Sequence, residues 1–243
     1  MLHSAVVRII VGLGLVALLL RPAASQTQPD VSLILKRVSA TYKAVSRYEL
    51  FANATEQSAG SAKGKPMRMH FAFRTPNKYR FEGVMPGQRS DDDDSEPDAM
   101  VMVHDGSTLW FYLPKTNQYG FFPATELTAD APGDLGDASP EQMDRTMMWR
   151  YRGASTFMEA KFLREEGIEF GGAKVACYVL TVSETKGGMA YTWWVDQQRY
   201  RILREDNAQS SSVFTSIKLD EPLSDDLFKF EPPPGARKVD PKQ

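Results

Sequence analysis

From Tyr48 onward the chain is written in short runs, and almost every run is closed by a turn. Met67, Met69, Phe71 and Phe73 alternate with Arg68, His70, Ala72 and Arg74; Tyr79 and Phe81 alternate with Lys78, Arg80 and Glu82. A side-chain period of two belongs to a strand with one face buried. Residues 48–57, 67–74, 78–84, 99–104, 108–113 and 118–122 read as strands, and so do 161–166, 174–184, 189–196, 200–207 and 211–219. Turn signals separate them: the Gly/Ser/Lys stretch 58–65, Thr75-Pro76-Asn77, Asp105-Gly106, Gly171-Gly172 and Gly187-Gly188. Residues 222–226 read as a short turn or helical piece, and Phe228-Lys229-Phe230 as a last short strand. No strand–helix–strand alternation calls for a parallel sheet. The expectation is one antiparallel sheet of about ten or eleven strands, which must curl. Its concave face needs a cover.

Two helical patterns are available for that. Asp30 is a good N-cap for a stripe of Val31, Ile34, Leu35, Val38, Tyr42 and Val45. Further on, Ser139-Pro140-Glu141-Gln142 reads as a helix start, followed by a soft apolar surface of Met143, Met147, Met148 and Tyr151, extended by Phe157 and Met158, with Gly153 as the break. The stretch before it, 128–139, is rich in Asp, Gly and Pro and reads as a loop.

The N-terminus reads as an export signal. Arg8 precedes an unbroken apolar run of 12 residues from Ile9 to Leu20, and Ala23-Ala24-Ser25 supplies small residues for cleavage after Ser25. A membrane-spanning helix needs ~20 apolar residues. The expected organisation is therefore a signal peptide over 1–25, a single domain over 26–235 and a solvated tail over 236–243. One cysteine, Cys177, excludes an internal disulfide scaffold. With 29 Lys+Arg against 31 Asp+Glu the formal charge is −2, without the clustered basic excess of a nucleic-acid binder.

A search for chemistry returns little. No metal-ligand spacing, nucleophile elbow or phosphate-binding glycine loop is present. His70 reads as a rim residue, His104 as a strand end and Cys177 as an inert core thiol. Asp91–Asp94 reads as a solvated acidic loop rather than a calcium site. No catalytic residue, metal or cofactor is expected, and a hydrolase finds no nucleophile–base pattern to stand on. What stands out is soft apolar material: 11 Met, 13 Phe, 9 Tyr and 4 Trp, with strands such as Leu109-Trp110-Phe111-Tyr112-Leu113 apolar on both faces. An ordinary large core and a cavity for an apolar ligand are both compatible with it.

Asp105-Gly106-Ser107-Thr108-Leu109-Trp110-Phe111-Tyr112-Leu113-Pro114 resembles the Asp-Gly-x-x-Leu-Trp-x-Tyr-x-Pro hairpin of LolA-like periplasmic lipoprotein carriers. Phe73-Arg74-Thr75-Pro76-Asn77-Lys78-Tyr79-Arg80-Phe81 is similar to that family's Pro-Asn strand, and 228–240 to its Pro-rich C-terminus. The resemblance implies a mainly β fold: a half-open, curled antiparallel β-barrel with a helical lid over an apolar cavity. It further implies a periplasmic monomer that takes acylated lipoproteins, or other envelope lipids, from an inner-membrane ABC transporter toward an outer-membrane acceptor. A lipid- or stress-sensing interaction module of the same fold is the alternative. On this resemblance the expected cavity wall is Met69, Phe71, Phe73, Tyr79, Phe81, Met102, Trp110 and Tyr112. The expected lid is Ile34, Leu35, Val38 and Tyr42 on the first helix and Met147 and Met148 on the second. One departure is specific: the carriers' arginine immediately before the Pro is Thr75 here, and Arg74 lies one residue earlier, on the opposite facing. The Asp-rich loop and the Met-rich central helix are also not standard features of the family.

Overall fold

The computed structural model describes residues 28–58, 61–84, 99–127 and 138–240. The expected signal peptide and the Asp91–Asp94 loop lie outside the described residues. Helix α1 (Val31–Lys43) starts where Asp30 accepts hydrogen bonds from the backbone N–H groups of Ser32 and Leu33, at 2.9 and 3.2 Å. Six strands follow: β1 (Arg47–Ser58), β2 (Ser61–Arg74), β3 (Lys78–Gly83), β4 (Met100–His104), β5 (Thr108–Leu113) and β6 (Gln118–Pro123). Helix α2 (Pro140–Arg152) is capped by the Ser139 hydroxyl, which accepts from Gln142 N–H at 3.3 Å, and ends at Gly153. Five more strands complete the body: β7 (Glu159–Phe170), β8 (Ala173–Ser183), β9 (Ala190–Asp196), β10 (Ile202–Asp206) and β11 (Ser210–Leu219).

Among the described residues the strands, with a short β12 (Arg237–Lys238), form one sheet of twelve in the order β12-β6-β5-β4-β3-β2-β1-β11-β10-β9-β8-β7, and it does not close into a barrel. The order is two meanders joined along β1 and β11. The first runs outward from β1 to β6, and the second runs back from β7 to β11. Because β6 and β7 lie near opposite edges, the connection carrying α2 has to cross the width of the sheet. The first meander's register sets its two faces. Tyr48, Phe73, Tyr79, His104, Leu109 and Phe122 are successive cross-strand partners in one row, and Leu50, Phe71, Phe81, Met102, Phe111 and Gly120 in the next. Both rows belong to the face that α1 and α2 cover, because apart from His104 and Gly120 their members pack in one core with Ile34, Val38, Tyr42, Met143, Met148 and Tyr151.

Three expectations need correction. The 58–65 stretch is not a loop: β1 and β2 extend through it, with Glu56 opposite Lys63 and Ser58 opposite Ser61. Its Gly/Ser/Lys composition lacks an alternating signal, but the ladder is carried on from the well-packed part of both strands. Residues 228–230 are not a strand either, since a 3-10 turn covers Asp225–Phe228 and Phe230 is held by its ring. The final strand is β12 (Arg237–Lys238), within the expected solvated tail, and it pairs parallel with β6. Arg237 N–H donates to Asn117 O at 2.9 Å and Val239 N–H to Tyr119 O at 2.8 Å. The chain from β11 to β12 thus straps the opposite, convex face of the first meander.

Candidate functional site: a lidded apolar hollow

The concave face of the sheet is apolar along its rows and is filled from above by the two helices. Ile34, Leu35, Val38 and Tyr42 all lie on the inner face of α1 and are buried. From α2, Met148 and Tyr151 are buried and Met147 is half-buried against the same core. Below them Phe71, Phe73, Tyr79, Phe81 and Met102 are buried, and Met69 is half-buried. The aromatic rings are in register as well as in contact. Tyr48 lies 5.6 Å from Phe71 and 5.5 Å from Phe73, and Phe71 lies 6.3 Å from Tyr79, centroid to centroid.

Trp110 and Tyr112, expected in the same wall, stand on the other face. Trp110 pairs across the strands with Val103 and Phe121, and Tyr112 with Val101 and Tyr119. Trp110 stacks on Phe230 of the strap at 5.5 Å and donates its indole N–H to Asp105 at 3.1 Å. The inward residues of β5 are Leu109 and Phe111. A strand apolar on both faces carries no period-two signal to choose between the two pairs.

Polar groups hold the lid at its ends. Arg152, at the last turn of α2, makes a bidentate pair with Asp144 at 2.5 and 3.1 Å and donates to the carbonyls of Tyr42 and Val45, both at 3.3 Å. Tyr48 of the sheet donates its hydroxyl to the same Asp144 at 2.9 Å. Ser39 of α1 donates to Arg152 O at 2.5 Å. Arg152 and Asp144 therefore tie together both helices and the floor. A second tie starts two residues earlier, on the other side of α2. Arg150 donates to Glu205 of β10 at 2.9 Å and to Glu184 at 3.2 Å, and Trp193 donates its indole N–H to Glu205 at 2.7 Å. Burial pushes the Glu205 carboxyl up from its usual value despite the Arg150 charge. Burial likewise raises the phenols of Tyr42, Tyr48, Tyr79 and Tyr151, so all four are neutral hydrogen-bonding groups at pH 7.

Arg74 does not reach the lid. It pairs with Asp225 and lies over the ring of Phe228, 5.0 Å from its centroid, so it clamps the strap on the convex face. Arg74 therefore fastens the convex side of the sheet. Sequence reasoning did not find Tyr48, Asp144, Arg152 and Glu205. Their partners lie up to about a hundred residues away, as with Tyr48 and Asp144. Only the spacing of Asp144 and Arg152, two turns apart on one helix face, was available locally.

Reactive chemistry is scarce in the described residues. Cys177 is buried and its thiol is pushed up to about 12 by desolvation. His70 lies on the convex face, stacked on Phe51 and flanked by Glu49 at 3.1 Å and Glu82 at 3.8 Å. Among the described residues no cluster of three or more His, Cys, Asp or Glu could hold a metal, and no helix is long and apolar enough to cross a membrane.

No protein-family profile matches the chain. An uncharacterized protein of Methanocaldococcus jannaschii is 24% identical over 214 residues, covering 86% of this chain and 54% of the relative. The chain thus spans about half the length of the curated relative it matches. Among solved structures, LprF from Mycobacterium bovis is similar over 80% of this chain and 94% of its own, with a TM-score of 0.51 and 11% identity. The Mycobacterium tuberculosis lipoprotein LppX covers 82% and 99%, at TM-score 0.45 and 13% identity. A LolA superfamily protein from Nitrosomonas europaea covers 83% and 98%, at TM-score 0.31 and 14% identity. The likeness to LprF is one of fold.

Proposed function

We propose that this chain, whose open curled sheet and covering helices are LolA-like, is a carrier that takes the acyl chains of a lipoprotein or another envelope lipid into the concave face. The observation that carries the reading is that one continuous apolar surface is shared between a rigid sheet and two helices tied down at polar points. The residues that would meet the ligand are Met69, Phe71, Phe73, Tyr79, Phe81 and Met102 of the sheet. On the lid they are Ile34, Leu35, Val38 and Tyr42 with Met147 and Met148.

The energetics suit a carrier. Each CH₂ taken from water is worth ~0.8 kcal/mol, so a 16-carbon chain gains about 12 kcal/mol as an upper estimate. Displacing the lid gives up the burial of its own side chains, Ile34, Leu35, Val38, Tyr42, Met148 and Tyr151 among them, so the protein's own side chains act as a stand-in ligand and offset the gain from the lipid. That offset keeps uptake from precluding release. Aromatic and Met walls tolerate several ligand shapes.

In this reading the mature chain begins after Ser25, works as a monomer in the periplasm, and meets an inner-membrane ABC transporter and an outer-membrane acceptor. Native mass spectrometry of protein exported to the periplasm tests it: copurified acylated species are expected. Absence of any such species, together with no uptake of a fluorescent fatty-acid probe, would refute it. The sensor reading draws on a different observation, a cleft of about 500 Å³ on the convex side lined by Arg80, Glu82, Tyr112, Lys229 and Phe230, outside the hollow. Copurification of a membrane regulator with lipid-free protein would favour it.

A further inference from the structure

One side chain in the first row of the concave face is out of character. Tyr48, Phe73, Tyr79, Leu109 and Phe122 are aromatic or aliphatic, but between Tyr79 and Leu109 stands His104, the last residue of β4. It is 1% exposed and its ring stacks on Tyr79 at 5.8 Å. Its Nδ1 lies 2.6 Å from the carbonyl oxygen of Asn77. The backbone N–H of Gly106 also approaches Nδ1, at 3.2 Å, but the shorter contact is to a carbonyl, which only accepts, so Nδ1 carries the proton and donates. Desolvation lowers the imidazole pKa, which keeps the ring neutral at pH 7 and leaves Nε2 with a bare lone pair.

Among the described residues Nε2 has no hydrogen-bond partner. The other buried side-chain atoms in that position are Arg47 Nε, Trp194 Nε1, Gln197 Nε2 and Arg201 Nε. All four are donors, and none belongs to this row. Three hydroxyls of the hollow each have a partner: Tyr48 donates to Asp144, Tyr79 donates to Ala138 O at 2.6 Å, and Tyr42 accepts from Ile202 N–H at 2.9 Å. Within this row, His104 Nε2 is the buried side-chain acceptor that has no partner among the described residues.

We propose that His104 Nε2 is the polar recognition point of the hollow, and that the preferred ligand is a hydrocarbon chain bearing a hydrogen-bond donor, a hydroxyl or a secondary amide N–H. The inference rests on reading the concave face as lipid-binding and adds the ligand's chemical class. A donor brought by the ligand satisfies a buried acceptor that an ester or ether leaves unmet. His104 lies at a strand end beside the Asp105-Gly106 turn, so the donor sits toward that end of the sheet and the chain runs along the aromatic row.

The test is displacement of a fluorescent fatty-acid probe from the full mature chain by two matched pairs. One pair is hexadecanol and its methyl ether; the other is N-methylpalmitamide and N,N-dimethylpalmitamide. At least one donor-bearing compound is expected to bind about tenfold more tightly than its capped partner. The preference should vanish in His104→Phe while affinity for the capped compounds remains. The pair that discriminates identifies the donor as hydroxyl or amide. Equal binding within both pairs by the wild-type protein overturns the proposal alone, and so does a preference that survives in His104→Phe. Failure of the probe and all four compounds to bind overturns the carrier reading and this proposal with it. Should His104→Phe not fold, the wild-type comparison decides.

Discussion

Asp144 is the residue on which the lid's polar fastening converges, since it accepts from both Arg152 and Tyr48 and its side chain is 17% exposed. Removing Arg152 leaves that carboxylate half of its partners and frees the carbonyls at the end of α1. Arg152→Ala is expected to lower stability by about 2 kcal/mol, less than for a fully buried pair because water reaches the site. A thermal melt would show it, and an unchanged melting temperature would remove Arg152 from the fastening. Two glutamates give opposite pH signatures. Burial raises Glu205 above its ordinary value of 4.5, so its contribution is complete below that pH and is lost as pH rises through the folded value. The loss of stability from pH 4.5 upward should therefore shrink in Glu205→Gln. Glu82, held down to about 2 by the neighbouring His70 first and by Arg80, contributes above pH 4.5 and loses that contribution as pH falls toward 2. Its side chain is 39% exposed, so the contribution is set at about 1 kcal/mol. Acid titrations of Glu82→Gln should show a correspondingly smaller fall over that window.

The helices and the strap are the elements that give the two faces of the first meander different roles, and one mutation on each separates them. Met147 is half-buried in the lid, so Met147→Asp is expected to weaken fatty-acid-probe binding about tenfold with little change in melting temperature. Phe228, 1% exposed beneath Arg74 on the strap, should cost about 3 kcal/mol as Phe228→Ala while leaving the probe affinity of the folded protein unchanged. Equal probe loss in both variants would mean that the faces are not independent. These elements were legible to different degrees. Helix α1 could be read because a 3.6-residue stripe behind Asp30 has one interpretation, and α2 because Ser139-Pro140 marks its start. The inward facing of Phe71, Phe73, Tyr79 and Phe81 followed from strict alternation. In β5 alternation fails, because the strap lets Trp110 and Tyr112 be apolar on the outside too, and the strap's own phenylalanines sit in a Pro-rich segment without strand period.

For the molecule as a whole, the order of strands is what local reasoning does not reach. Several hairpins were visible from their turns, but the pairing of β1 with β11 joins residues some 170 positions apart and depends on the whole second meander returning to the centre. That return makes the α2 connection cross the hollow. If the lid rises when a lipid enters, hydrogen exchange should quicken in α1 and α2 while β8 to β10 stay protected; uniform protection on loading would argue against a rising lid. The sheet also keeps two free margins, β12 on one side and a charged, bulged β7 on the other. A hoop of strands can widen only by breaking rungs. A ribbon with a seam can relax its curvature with every rung intact, so guests of different girth fit by a change of bend rather than by loss of backbone pairing.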